Sequence, residues 1–214
     1  MLERQVLFCM TTLLLTAVAG AQTPQEVIAR AEQKWDSVQT FQAKGTAKAF
    51  DGGGEPLSDP REIEVAYSRD GKLYYTRGEY DKVVSDGAFV YSQSHFLGRW
   101  SAWKKPYSPE EIAKHAVLPI DKLREFAPML KECSDKGEDY VLTGGGLKDE
   151  KVVTCELKVR KKDYAVTQVY WESRSQSSRK TIIRLIEYED ITLDKKLRES
   201  LFEYTPPKGV EVKE

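Results

Sequence analysis

The stretch Leu201-Phe202-Glu203-Tyr204-Thr205-Pro206-Pro207-Lys208-Gly209-Val210 decides how the chain finishes its fold. Phe202 and Tyr204 alternate with polar or small neighbours, which is the period of a half-buried strand. Pro206 and Pro207 have no amide donor, so a ladder ends there or runs along an edge. Gly209 then permits a backbone angle that other residues resist. The segment predicts a short last strand closed by a stiff turn, with one helical turn over Asp194 to Leu201 ahead of it.

Working outward, the chain before this segment reads as two blocks of short strands. Ile63, Val65 and Tyr67 share one face of a strand, and Asp70-Gly71 is a hairpin signal. The return strand carries Leu73, Tyr74 and Tyr75. Lys82 to Ser85, a turn at Asp86-Gly87 and Ala88 to Tyr91 continue the meander. The second block runs through Tyr140 to Leu142, Val152 to Val159, Ala165 to Trp171 and Thr181 to Tyr188. Gly144-Gly145-Gly146 reads as a flexible hairpin loop; it lacks the Gly-Lys-Ser/Thr ending of a phosphate loop.

Helices punctuate these blocks. Thr23 as N-cap, Pro24 at the first position and Glu26 three residues after the cap predict a helix start. Val27, Ile28, Ala31, Trp35 and Val38 form its apolar face, and the helix should end near Thr40. Between the blocks, Ser108-Pro109-Glu110-Glu111 opens a second helix carrying Ile112 and Ala116, which Pro119 stops. A third helix carries Ile120, Leu123 and Phe126 and ends or kinks at Pro128. The first strand, Phe41 to Ala49, places Phe41, Ala43, Gly45, Ala47 and Ala49 on one side. That side is unusually small, which leaves space for a packed helix or for a ligand. One α+β domain over residues 22–214 accounts for the pattern.

Composition narrows the function. The chain has 214 residues, 40% hydrophobic and 31% charged, with a net charge of -1. A near-neutral balance provides no field for nucleic acid. Val6 to Val18 is an apolar run too short for a comfortable membrane span, and Ala19-Gly20-Ala21 fits small-residue cleavage. Residues 1–21 therefore read as a signal peptide cleaved after Ala21, which predicts an exported, soluble protein. Cys133 and Cys155 remain after cleavage. In an oxidising compartment an even count favours a disulfide over two free thiols. The bridge would close a loop of about 22 residues and add about 3 kcal/mol in the chain-entropy account.

The search for chemistry returns little. His95, placed in a loop, and His115, on a helix, are the two histidines, and neither sits in a nucleophile–base pattern. An exported hydrolase would need both groups. Glu62/Glu64 and Glu187/Glu189 are alternate positions on solvent-facing strands, a common spacing and a weak cation signal. Trp100 and Trp103 read as sheet-edge packing or apolar-ligand contacts. The protein is expected not to be an enzyme and to use no metal or cofactor.

Three anchors resemble one family. Trp35 to Ala43 runs an amphipathic helix into a strand, Val84-Ser85-Asp86-Gly87-Ala88-Phe89-Val90-Tyr91 forms a Ser-Asp-Gly hairpin, and Phe202 to Val212 closes the chain. In this order, after an export signal, they resemble the periplasmic outer-membrane lipoprotein-carrier (LolA/LolB-like) family. The resemblance implies an unclosed, curved antiparallel β half-barrel with helices forming a lid. It implies a periplasmic carrier, acting as a monomer, that binds lipoprotein acyl chains or other lipid in an apolar hollow. Cargo would come from an inner-membrane lipoprotein transporter and go to an outer-membrane acceptor. The walls would be Phe41, Ala43, Gly45, Ala47, Ile63, Val65, Tyr67 and Leu73, and the lid Ile112, Ala116, Ile120, Leu123 and Phe126. Burial of an acyl chain gains about 0.8 kcal/mol per methylene. One departure stands out. The family's second hairpin typically holds an Arg-Pro pair whose arginine helps hold the lid. Here Ser68-Arg69-Asp70-Gly71-Lys72-Leu73 has Arg69 one place early and no proline. A non-transport sensor or partner-binding module of the same fold is the alternative.

Overall fold

The computed structural model describes residues 22–79, 81–96, 99–115, 118–178 and 180–214, with 113–115 as backbone alone. The signal-peptide reading and the lid residue Ala116 lie outside them.

Helix α1 (Pro24–Ser37) starts as its sequence dictates. The Thr23 hydroxyl accepts from the Glu26 amide at 3.3 Å, and the Glu26 carboxylate accepts from the Thr23 amide at 2.8 Å. Two orphan donors of the first turn are thereby satisfied. The helix stops at Ser37, because Val38 is already extended (φ -71, ψ 127) to enter the first strand.

The strands follow as β1 (Thr40–Asp51), β2 (Arg61–Ser68), β3 (Lys72–Arg77), β4 (Asp81–Asp86), β5 (Phe89–Phe96) and β6 (Arg99–Pro106). Helices α2 (Pro109–His115) and α3 (Pro119–Phe126) intervene. Then come β7 (Leu130–Lys136), β8 (Asp139–Lys148), β9 (Lys151–Arg160), β10 (Val166–Ser175), β11 (Thr181–Leu193) and β12 (Val212–Lys213). All join one 12-stranded sheet, ordered β12-β6-β5-β4-β3-β2-β1-β11-β10-β9-β8-β7. Every pairing is antiparallel except that of β12 with β6. The sheet is thus two meanders joined where β1 meets β11, and its end strands β12 and β7 stand apart, so it does not close. The α+β, unclosed antiparallel architecture with helices on one face is the expected one.

Gly45 and Gly144 explain two of the small residues. A Cβ on Gly45 would lie 2.1 Å from the Glu187 carbonyl oxygen of β11. The register between β1 and β11 slips between Gln42 and Lys44, beside Asp190 at φ 49, and the bulge drives the two backbones together there. A Cβ on Gly144 would lie 1.9 Å from the Met129 carbonyl oxygen. The triple glycine is therefore not a hairpin loop. It lies inside β8, where the irregular start of β7 crosses close to it.

Three other expectations are corrected. Phe202 does not sit on a strand: it ends a 3-10 turn over Glu199–Phe202, and regular pairing resumes only at Val212. Proline 206 and 207 deny that stretch its donors. His95 belongs to β5 and not to a loop. Cys133 and Cys155 are free thiols. They sit on β7 and β9 with β8 between them, so their backbones are about 10 Å apart or more by strand spacing, beyond the roughly 7 Å a disulfide spans.

The core lies between the helices and one face of the sheet. It runs continuously from Val27, Ile28 and Ala31 through Val65, Leu73 and Val83 to Leu142, Leu157 and Val169. A smaller apolar group sits on the opposite face. Ala66, Val84, Ala102 and Phe202 are buried outside the main core. Ala66 and Val84 alternate with core residues on their strands, so they point the other way. The C-terminal segment covers this second group. Tyr204 stacks on Tyr91 at 5.0 Å and donates its hydroxyl to Gln93 Oε1 at 3.2 Å.

Candidate functional site

The candidate site is the interface between the helices and the sheet. Strand alternation aims Phe41 and Ala43 of β1, Ile63 and Val65 of β2, and Leu73 of β3 at the helices. Helical spacing turns Ile120, Leu123 and Phe126 of α3 back at them. These eight residues and Ile112 of α2 are buried in one apolar cluster, with Tyr67 and Ala47 packed against it. Gly45 is half-buried against the β11 backbone. The structure therefore brings the described residues of the predicted site together, but as filled core. A void there, beneath α1, measures about 20 Å³ and is lined by Ala31, Trp35, Val38, Phe41, Ile120 and Val166, among others. That holds about one water, whereas ligand pockets run to about 300 Å³ or more.

Aromatic rings tie the cover to the sheet. Trp35 of α1 packs 5.3 Å from Phe41 and stacks 5.7 Å from Tyr67. Phe126 of α3 meets Trp171 of β10 at 5.9 Å, with the Lys122 ammonium 5.0 Å over the same indole. Sequence reading missed Trp171. Its position on β10 directly opposite Cys155 places it on the core face, and only the register reveals that. Burial pushes the Tyr188 phenol well above its ordinary value and raises Tyr67 and the Asp121 carboxyl as well. Burial also pushes the Cys155 thiol up to about 11, leaving it a poor nucleophile at neutral pH.

Polar groups hold the helices at defined points. Arg69, in the β2–β3 turn, donates from Nη2 to the Trp35 carbonyl at 2.5 Å and from Nε to the Val38 carbonyl at 3.0 Å. It caps the last turn of α1, where carbonyls lack intrahelical donors and a cation is favoured. Arg69 thus clamps the end of α1 to the β2–β3 turn. Next to it, Asp194 accepts from the Gln39 amide at 2.7 Å, and the Thr40 hydroxyl donates to the Lys195 carbonyl at 2.7 Å. On α3, Glu125 pairs with Lys122 at 2.6 Å and also with Lys148 of β8. Burial alone would raise the Glu125 carboxyl, but the two ammonium groups outweigh it and hold it below the usual range.

The opposite face carries a different surface. An open depression of about 890 Å³ is lined by Lys44, Glu62, Glu64, Thr76, Arg77 and Glu189, among others. Its cross-strand rows alternate in charge: Lys44 stands between Glu64 and Glu189, and Lys48 bonds Glu187 at 2.8 Å. The paired carboxylates are thus answered by lysines, and no metal-binding group of His, Cys, Asp or Glu forms among the described residues.

No family model matches the chain, and no curated protein sequence does. Several solved structures are similar to it. One is a LolA superfamily protein of Nitrosomonas europaea, at 13% identity and TM-score 0.36, covering 86% of this chain and 99% of that one. Another is PNGF-II, at 11% identity and TM-score 0.36, covering 81% of this chain and 31% of that one. A third is MucB, solved in complex with MucA(peri), at 12% identity and TM-score 0.36, covering 85% and 58%. The chain thus spans about a third of the second structure's length and somewhat over half of the third's.

Proposed function

We propose that this protein is an exported carrier in the periplasm that takes an acyl chain, of a lipoprotein or another lipid, between its helices and its sheet. The observation that supports this is the single apolar interface uniting β1, β2 and β3 with α1, α2 and α3. It is held at the α1 end by a replaceable polar clamp, Arg69. The void beneath α1 holds about one water and the facing side chains are buried, so on this reading cargo enters as the cover lifts. A chain of about fifteen methylenes gains roughly 12 kcal/mol on leaving water, enough to offset part of the packing it displaces. Neither step calls for a nucleophile or a metal. The cargo would pass from an inner-membrane transporter to an outer-membrane acceptor.

The test is uptake of a fluorescent fatty acid by the purified protein, with analysis of copurifying lipid. Saturable uptake that quenches on Trp35 supports the reading; an empty protein that takes up nothing refutes it. The filled interface also favours a second reading, an envelope sensor of the same fold that recognises lipid or a partner protein and carries no cargo. Depletion separates the two. Loss of a carrier strands lipoproteins in the inner membrane, whereas loss of a sensor alters stress signalling alone.

A further inference from the structure

The β5–β6 hairpin has a surface that the core does not explain. Two large apolar side chains are exposed at its turn end, Phe96 at 73% and Trp100 at 36%, and a third, Trp103 at 37%, at mid-strand where β12 pairs. They do not form one flat patch. In the hairpin register Phe96 faces Arg99, and Trp103 lies on that same side; Trp100 and Lys104 point to the other. The charge is one-sided. From residue 87 to residue 108 the chain carries Arg99, Lys104 and Lys105 and no aspartate or glutamate, although the whole protein has a net charge of -1. Lys105 bonds Glu111 at 2.9 Å, and Lys104 lies 3.7 Å from Glu214, so part of this charge is answered from outside the hairpin. Strand β12 pairs with β6 only at Ala102 and Trp103, which leaves the turn end of β6 as a sheet edge.

We propose that this hairpin docks edge-on at an anionic lipid surface. Tryptophan and phenylalanine favour the headgroup boundary, where an apolar ring is buried and its edge stays wet. Basic side chains beside them are drawn to anionic headgroups. Rings on both sides of one hairpin suit a medium that surrounds the edge; a protein partner laid on one side would leave the other ring in water. The surface is separate from the helix–sheet interface and does not depend on the acyl-chain reading. It gives the protein a means of meeting a membrane before any exchange.

Flotation of the purified protein with phosphatidylethanolamine/phosphatidylglycerol vesicles, against phosphatidylcholine vesicles, tests this at low and high salt. The protein should float with the anionic vesicles at low salt, and far less with phosphatidylcholine or at high salt. Phe96→Ser should weaken binding about tenfold through lost burial. Arg99→Gln should weaken it about fivefold on anionic vesicles only. Leu147→Ser, at the exposed β8–β9 turn, should change nothing. Phe96 is 73% exposed, so its replacement tests docking without disturbing the core. Absence of flotation, equal binding by Phe96→Ser, or an equal effect of Leu147→Ser overturns the proposal. So does loss of a copurifying protein from the hairpin variants without vesicle binding, which assigns the surface to a protein partner. Fatty-acid uptake in solution should be the same for Arg99→Gln and wild type, so failure of one reading leaves the other standing.

Discussion

Replacing Arg69 by alanine removes both donors to the end of α1. Its bonds reach the carbonyls of Trp35 and Val38. The Trp35 carbonyl keeps another donor, the Val38 amide at 3.1 Å. The Val38 carbonyl loses the guanidinium in a residue that is only 1% exposed, where water cannot readily replace it. Leaving a buried acceptor unmade costs about 1–3 kcal/mol, and loss of a cation at a helix C-terminus about 0.3–1 more. Arg69 as a residue is exposed and only its Nε bond is partly buried, so the lower half applies: about 2 kcal/mol. In a chain of this size that shifts Tm by about 4–8 °C. Thermal melts measure the shift, and hydrogen exchange locates it, because α1 amides should lose protection first. Arg69→Lys should recover only part, since one ammonium cannot reproduce the two-pronged fork. If the alanine variant melts within about 1 °C of wild type and α1 exchanges as before, Arg69 is a surface side chain and the clamp is wrong. Under the carrier reading, the same variant should take up fatty acid faster than wild type.

Gly45→Ala places a methyl 2.1 Å from the Glu187 carbonyl oxygen at the joint of the two meanders. We expect a loss of about 3 kcal/mol or no soluble protein; a chemical-denaturation midpoint unchanged from wild type contradicts the close approach. Thiol titration without reductant should find both Cys133 and Cys155 in the unfolded mature chain, while in the native protein Cys155 stays silent near pH 8 because burial holds its pKa at about 11. Failure to find either thiol after unfolding shows a bridge. Stability should also fall in acid. Glu125 and Asp163 are held below the usual carboxylate range, Asp163 by Arg160 and the Ala165 amide against the opposing effect of burial. A depressed folded pKa stabilises above the unfolded value and loses that contribution as pH falls through the folded value, so urea midpoints should hold to about pH 5 and drop below about pH 4. Glu125→Gln should flatten that drop, and an unaltered acid limb would remove Glu125 from the account.

Much of the architecture was legible in the residues. Thr23, Pro24 and Glu26 announce α1, and Ser108 accepts from the Glu111 amide at 3.0 Å as its spacing predicts. Period-two alternation and the Asp-Gly turns at residues 70 and 86 yield the first meander, since side-chain direction along a strand is a local property. The candidate site was legible as a set of apolar faces: Phe41, Ala43, Val65, Leu73, Leu123 and Phe126 do converge. The failures share one cause. The triple glycine at 144–146 looks like a loop because a string of glycines carries no period, and only the approach of the Met129 backbone shows why a strand needs them. Phe202 looked like a strand residue because its spacing fits, yet its burial comes from lying across β3 and β4.

By itself the sequence determined which segments bury an apolar face, where the helices begin, and that no familiar catalytic pattern accompanies them. These follow from local period and capping chemistry. Only the tertiary structure decided that the small face of β1 serves two purposes, packing beneath the helices at Ala43 and passing close to β11 at Gly45. It also decided that β8 separates the two cysteines and that Arg69 reaches α1 from about thirty residues away in sequence. Each of these depends on which strand lies beside which. That order is set by long-range pairing and packing, whose partners leave no mark in the spacing of the residues that use them.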